Sequence, residues 1–316
     1  MLKVGLVGVG NISGAHIPSW KKMEGVSLVA LCDVRPERMD KYEDVRKYTD
    51  FDEMLEKEEL DILDICLPTF MHADFAVKAM EKGINVLCEK PISLKQEDVK
   101  RVYETAQKNN VKFMVAQVLR FWPEYVYLKS VYDSGEFGKL LSGTMTRVSA
   151  FPGWSWDDWM RDERRSGWVP YDLHIHDLDF MVYAFGAPKK ANTFRSKKKD
   201  QDYINTVYEF DGFCINTEAS WYASPYKFKA QFRFQFENAV VSNEDGGLKV
   251  YKRGGEVVDI NFASNDAVDG INLPKSNAYS NEIIYFTDCV KNNISPDMVK
   301  PEERETGIDI LNNLGG

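Results

Sequence analysis

The sequence contains no C-x-x-C pair, and its five cysteines (Cys32, Cys66, Cys88, Cys214 and Cys289) are scattered and odd in number. That pattern excludes a fully paired disulfide framework and argues against a structural zinc site. Three of these thiols lie in or beside apolar runs, where a free cysteine acts as a small hydrophobe. The expectation is a reduced, cytoplasmic protein without bound metal. No apolar run approaches the roughly 18 residues of a membrane span. The apolar start Val4-Gly5-Leu6-Val7-Gly8 is too short for a secretory leader and lacks a cleavage site, so no membrane partner is expected. Positive charge is in deficit as well. A formal net charge of −9 repels a phosphate backbone and argues against nucleic acid. Histidine is sparse, with His16, His72, His174 and His176 the four in the chain.

What is present is organised in two parts. At 316 residues the chain is long enough for two cores. Over residues 1–120, apolar runs alternate with amphipathic stretches: strands over 3–9, 26–33, 62–67, 84–88 and 112–118, and helices over about 11–23, 70–82 and 94–109. Strands alternating with helices of that length predict a doubly wound parallel sheet, the α/β class with a Rossmann domain. Beyond Arg120-Phe121-Trp122-Pro123 the period changes. Phe228, Ala230, Phe232, Phe234 and Phe236 alternate with Lys229, Gln231, Arg233, Gln235 and Glu237, the period of a strand with one buried face. Asp245-Gly246-Gly247 and Gly254-Gly255 read as hairpin turns. Residues 121–316 are therefore expected to form a second, α+β domain with a large open antiparallel sheet. Its phenylalanine-rich face needs a cover, either the chain's own helices or a second subunit.

Gly8-Val9-Gly10-Asn11-Ile12-Ser13 follows the first strand and opens the first helix. Gly8 permits the tight turn, Gly10 lets the backbone approach a pyrophosphate, and the helix start offers free amides. Ser13 replaces the third glycine with another small residue. Asp33 ends the second strand, where a carboxylate accepts the ribose hydroxyls of NAD and repels the 2′-phosphate of NADP. Arg35 leaves NADP open, because a guanidinium also accommodates a phosphate. NAD is the expected cofactor.

Glu89-Lys90-Pro91 closes the apolar run 84–88, placing an ammonium at the strand end, where open α/β sheets bind ligands. The proline stiffens the backbone that aims it; the bland alternative is a lysine capping a loop. Asp172 and His176 are four residues apart at a helix start, so carboxylate and imidazole share a face and suit a general acid/base pair. Asp179 could join that face. Two other readings stay open: a metal cluster of Asp172, His174, His176, Asp177 and Asp179, and a helix merely capped by Asp172. His72, after Pro68-Thr69, approaches the cofactor or serves the structure; His16 reads as structural; His174 lines the pocket or satisfies a loop carbonyl. Trp154, Trp156, Trp159 and Trp168, among Asp and Arg residues, suit a pyranose or cyclitol ring or else pack on the sheet.

On these residues the chain resembles the glucose–fructose oxidoreductase / inositol dehydrogenase / MocA (Gfo/Idh/MocA) family. The motifs are Gly8-Val9-Gly10-Asn11-Ile12, Asp33, Pro68-Thr69 with His72, Glu89-Lys90-Pro91, Arg120-Phe121 with Pro123, and the run from Asp172 to Asp179. The resemblance implies an NAD(P)-dependent oxidoreductase moving a hydride between nicotinamide and a secondary alcohol or ketone of a sugar, inositol or related polyol. It assigns catalysis to Lys90, Asp172 and His176. Cofactor contacts would come from Gly8, Gly10, Asn11, Ile12, Asp33, Arg35, Pro68, Thr69, His72, Glu89 and Lys90. Substrate contacts would come from Arg120, Trp159, Trp168, His174 and His176. It also implies a homodimer or homotetramer joined through the antiparallel sheet. His174 stands where the family usually has glycine, and Trp168 and Pro170 depart from its glycine-rich approach. The competing functions are a reductase of a dihydrodiol or tetrapyrrole and a dinucleotide-sensing regulator without turnover.

Overall fold

In a computed structural model that describes residues 1–262 and 276–314, the apolar runs of the first third form a six-stranded sheet. The elements are β1 (Leu2–Val7), α1 (Ser13–Lys22), β2 (Val26–Cys32), β3 (Arg46–Tyr48), α2 (Phe51–Lys57), β4 (Ile62–Ile65), α3 (His72–Glu81), β5 (Asn85–Glu89), α4 (Gln96–Lys108) and β6 (Phe113–Ala116). The order is β3-β2-β1-β4-β5-β6, parallel throughout, so the strand order reverses beside β1, where such sheets bind ligands. Val4, Leu6, Ile62, Leu63, Ile65, Val86 and Leu87 are fully buried, as strands covered on both faces require. The helices follow their apolar stripes: α4 buries Val99, Val102 and Ala106 and carries Glu97 and Asp98 in its first turn, where they complement the helix dipole.

The chain divides into two units, Met1–Val118 with Asp266–Glu305, and Leu119–Asn265 with Thr306–Gly316. A single break after residue 120 would have left Asp266–Glu305 in the second part. The segment groups with the first unit because its helix packs on α1, with Ser19 and Ser280 hydroxyls 2.9 Å apart and the His16 and Tyr279 rings 5.8 Å apart.

The second unit opens with α5 (Pro123–Ser134) and β7 (Leu140–Ala150), continues through α6 (Glu163–Ser166) and α7 (Ile175–Phe185), and then adds β8 (Lys190–Lys198), β9 (Gln201–Glu209), β10 (Cys214–Tyr222), β11 (Lys229–Phe236), β12 (Ala239–Ser242), β13 (Leu248–Lys252) and β14 (Val257–Ile260). The remaining helices are α8 (Ala278–Lys291) and α9 (Pro301–Asn313). The eight strands run β14-β13-β12-β11-β7-β10-β9-β8. All neighbours are antiparallel except β7 and β10, which are parallel. Gly246 (φ 76°), Gly247 (φ 100°) and Gly255 (φ 91°) make the two expected hairpin turns, using left-handed geometry that glycine adopts without strain. On β11, Phe232, Phe234 and Phe236 are buried, each worth about 2 kcal/mol. The chain's own helices cover this face: Tyr125 of α5 meets Phe232 at 5.0 Å, and Phe185 of α7 meets Phe234 at 5.7 Å.

Candidate functional site

In the first unit the candidate residues gather at the carboxyl edge of the parallel sheet. Val7 is level with Ile65 on β4, and Ile65 with Cys88 on β5. The turn after β1 and the turn after β5 are therefore two strands apart, about 10 Å. Gly8 (φ 92°) donates its amide to the Cys32 carbonyl at 2.8 Å. A Cβ there would stand 2.6 Å from the Cys66 carbonyl oxygen, so only glycine fits. A Cβ on Gly10 would meet no described heavy atom within 4 Å, which leaves that backbone approachable. Asn11 is exposed, Ile12 begins the turn into α1, and Ser13 bonds the Gly10 carbonyl at 2.7 Å. The first turn of α1 has no acidic residue, leaving the dipole's positive end for an anion.

Asp33 is joined directly to this turn. Its Oδ2 accepts the Val9 amide at 2.7 Å, while Oδ1 accepts the Arg35 amide at 2.9 Å and Arg35 Nε at 3.3 Å. Arg35 thus leans on the aspartate. These residues fit a dinucleotide: a glycine turn admitting no side chain, an uncompensated helix start, and a carboxylate fixed beside both.

Lys90 directly follows β5, half-buried, and its peptide bond to Pro91 is cis. Its amide donates to Glu89 Oε2 at 3.1 Å. His72 is buried, with Nδ1 2.7 Å from the Pro91 carbonyl and Nε2 2.7 Å from the Leu67 carbonyl. Both ring nitrogens lie within hydrogen-bond distance of a backbone carbonyl, and the neutral ring donates to one of the two, between the turn after β4 and the turn after β5. Burial pushes its pKa down. Pro68 is half-buried, and Thr69 is buried at the start of a 3₁₀ turn ahead of α3.

In the second unit Asp172 and His176 are both half-buried, but not on one regular helix. Pro170–His174 is a π-helical turn that passes into α7, a geometry that concentrates at functional sites. The flanking carboxylates are engaged. Arg120 reaches Asp179 with a bidentate fork at 2.9 and 2.8 Å, and Arg147 holds Asp177 at 2.7 Å. Arg120 is 2% exposed, and its fork ties the turn before α5 to α7. Asp179 accepts from Arg120 through both of its carboxylate oxygens. His174 is fully buried, with Nε2 2.7 Å from the Tyr208 hydroxyl and no hydrogen-bond partner for Nδ1 among the described residues. Burial, aided by Arg147, pushes its pKa down to about 3.

Two family models match: the oxidoreductase family with NAD-binding Rossmann fold over residues 2–117, and the GFO/IDH/MocA C-terminal domain over residues 125–242. The chain belongs to the GFO/IDH/MocA family. Inositol 2-dehydrogenase of Salmonella paratyphi B is 31% identical over 199 residues, 60% of this chain and 56% of that protein. The chain thus spans little more than half the length of that relative. The scyllo-inositol 2-dehydrogenase (NAD(+)) of Bacillus subtilis is 28% identical across 99% of this chain and 94% of its own. An oxidoreductase from Agrobacterium radiobacter, solved in complex with NAD+, L-tartaric acid and magnesium, superimposes with a TM-score of 0.83 at 20% identity, covering 98% of this chain.

In this GFO/IDH/MocA member the tryptophan segment is irregular. Asp157 (φ 49°), Asp158 (φ 46°) and Trp168 (φ 59°) all take left-handed backbone. Aspartate tolerates that region, whereas a bulky tryptophan there is strained. Trp168 gives its indole hydrogen to the Arg161 carbonyl at 3.2 Å, and Lys197 Nζ stands 5.8 Å from its ring centre. Trp159 is half-buried, and Trp154 is 64% exposed. Sequence reasoning missed the bonding of His16 to Asp64 and Glu89. The signal was available: Asp64 is a lone carboxylate inside the apolar run Ile62–Leu67, and a charge in a buried strand needs a partner.

Proposed function

We propose that this protein is an NAD-dependent dehydrogenase acting on a secondary alcohol of an inositol or closely related sugar polyol. The observation that carries it is the Lys90 turn, held level with the glycine turn and Asp33 on one sheet edge of an NAD-binding family. The first unit holds the dinucleotide and the second the polyol. Bound NAD supplies the hydride acceptor. Asp33 takes the adenosine ribose hydroxyls, and its charge, with Arg35 leaning on it, favours NAD over NADP. Pro68 and Thr69 line the cofactor beyond the glycine turn. His176 takes the hydroxyl proton, with Asp172 setting its tautomer. Lys90, at the sheet edge of the first unit, supplies positive charge to stabilise a developing alkoxide.

Trp159 and Trp168 offer ring faces to the polyol. The strained Trp168 backbone supports that reading, because such strain gathers at ligand-binding segments. The inositol relatives support the cyclitol assignment. Phe194, 65% exposed on the edge strand β8, and half-buried Tyr203 and Val207 on β9 supply a surface for a homodimer or homotetramer in a cytoplasmic enzyme.

The test is NADH formation from NAD+ with myo-inositol, scyllo-inositol and a panel of aldoses. Turnover on a cyclitol that disappears in Lys90→Met, with NADH binding kept, is the expected result. Undiminished turnover in Lys90→Met, or NADH binding without turnover on any of the panel, would count against it.

A further inference from the structure

The first unit holds a buried cluster beneath the Lys90 turn to which the dehydrogenase reading gives no task. His16 of α1 has Nδ1 2.9 Å from Asp64 Oδ2 and Nε2 3.0 Å from Glu89 Oε1. His16 and Asp64 are fully buried and Glu89 is 6% exposed. Trp20 Nε1 donates to the same Asp64 oxygen at 2.7 Å, and the Cys66 thiol lies 3.7 Å from Asp64 Oδ1. The Tyr279 ring of α8 closes the far side at 5.8 Å. The remaining Glu89 oxygen, Oε2, accepts the Lys90 amide at 3.1 Å. Asp64 lies on β4 and Glu89 ends β5, so the imidazole spans two neighbouring strands near the edge where the candidate chemistry lies.

An ionised carboxylate only accepts, so a ring bonded to two of them needs hydrogens on both nitrogens. Burial opposes that charge, but Asp64 and Cys66 together outweigh it and hold the His16 pKa well above its usual value. Cys66, pushed up to about 12 by burial and by Asp64, stays a neutral thiol. One cation fixed between two anions is a rigid strut, and its far end is the Lys90 amide.

We propose that His16 is a positioning residue for Lys90: by bonding Asp64 and Glu89 together it keeps the Glu89 carboxylate on the Lys90 amide, and so sets the direction in which the Lys90 side chain leaves the sheet edge. The inference rests on the catalytic reading of Lys90 given above. A lysine stem is flexible, so the protein presets its aim chiefly at the backbone. His72, with Nδ1 2.7 Å from the Pro91 carbonyl, lies on the other side of the same turn. Without His16, Glu89 Oε1 is a buried acceptor with its partner removed. The carboxylate then turns or protonates, and the amide it held is released.

The test uses His16→Gln, Glu89→Gln, Lys90→Met and the His16→Gln/Lys90→Met double variant of the full chain. The readouts are kcat and KM for myo-inositol with NAD+, the NADH dissociation constant by fluorescence, and the NMR signal of the ¹³C-methylated Lys90 amine, assigned by its loss in Lys90→Met. His16→Gln should lower kcat about 10- to 100-fold, the cost of an ångström-scale misplacement, with KM and NADH affinity little changed. The Lys90 methyl signal should move, and Glu89→Gln should reproduce the effect. In whatever residual turnover Lys90→Met retains, adding the histidine change should cause no further loss, and a further loss would count against the inference. An unmoved Lys90 signal in both single variants overturns the inference, whether or not myo-inositol is turned over. So does a fall in NADH affinity as large as the fall in kcat, which would mark general damage. If His16→Gln does not fold, the isosteric Glu89→Gln decides the same question. Undiminished turnover in Lys90→Met overturns the catalytic reading of Lys90 instead, and a methyl signal that still moves tells the two failures apart.

Discussion

Asp33 has two tasks that a substitution can separate. Its oxygens order the glycine turn through the Val9 amide, while its charge addresses the ribose. Asn at this position keeps an acceptor for Val9 and loses the charge. A charge-assisted hydrogen bond is worth about 1.5–3 kcal/mol, so Asp33→Asn should weaken NADH about tenfold or more and lessen the penalty against NADPH. Fluorescence titration with both dinucleotides checks this, and an unchanged preference for NADH would remove Asp33 from cofactor choice. His174 allows a pH prediction. Its folded pKa of about 3 lies below the usual 6.5, so the unfolded chain binds its proton first. The neutral ring costs nothing above pH 6.5, and stability is lost as pH falls from there toward 3, by at most about 1.4 kcal/mol per unit. His174→Gln should therefore lose about 2 kcal/mol less than the parent between pH 7 and 5, read from urea midpoints. Parallel losses would sink the argument. The places of the glycines, Asp33 and Lys90 at the ends of strands were legible because each follows an apolar run. The engagement of Arg120 by Asp179 was not, since the two are 59 residues apart and no local pattern links them.

At the scale of elements, α7 is the instructive case. Its apolar length and the Asp172-to-His176 spacing announced a helix, but the π-helical turn over Pro170–His174 arises from tertiary context and leaves no mark on periodicity. The short β3 was missed for a simpler reason: Arg46 and Lys47 are exposed and Tyr48 alone is buried, too little for a period. α7 is tied down by Arg147 to Asp177 and Arg120 to Asp179, all four side chains at most 5% exposed. Removing one partner of such a pair leaves an uncompensated buried charge, at about 3–5 kcal/mol. Arg147→Met should cost that much in urea unfolding, and adding Asp177→Leu should restore a large part of it. If the double variant is no more stable than the single, Arg147 acts through packing and not through charge. Asp177 directly follows His176, so the single variant should lower kcat as well as stability.

At the scale of the whole molecule, alternation of strand and helix made the Rossmann sheet legible, and period-2 phenylalanines made the second sheet legible. The return of the chain to its first unit was not. Nothing in the local pattern of Ala278–Lys291 says which core it serves, because an amphipathic helix fits any apolar face of the right size. Its partner is α1, which carries the glycine turn at its start and His16 one turn later. The consequence can be tested by truncation. A fragment of residues 1–118 holds every cofactor residue named from the sequence, yet it lacks the helix that covers Ser19 and His16. With that face open, the buried charges of His16, Asp64 and Glu89 meet water, and the turn that Asp33 organises loses its support. The fragment should melt without a cooperative transition and bind NADH far more weakly than the full chain, as followed by calorimetry and by fluorescence titration. A cooperative melt with undiminished NADH affinity would show that α8 is dispensable to the cofactor site, and that the strand–helix alternation of the first 118 residues suffices to build it.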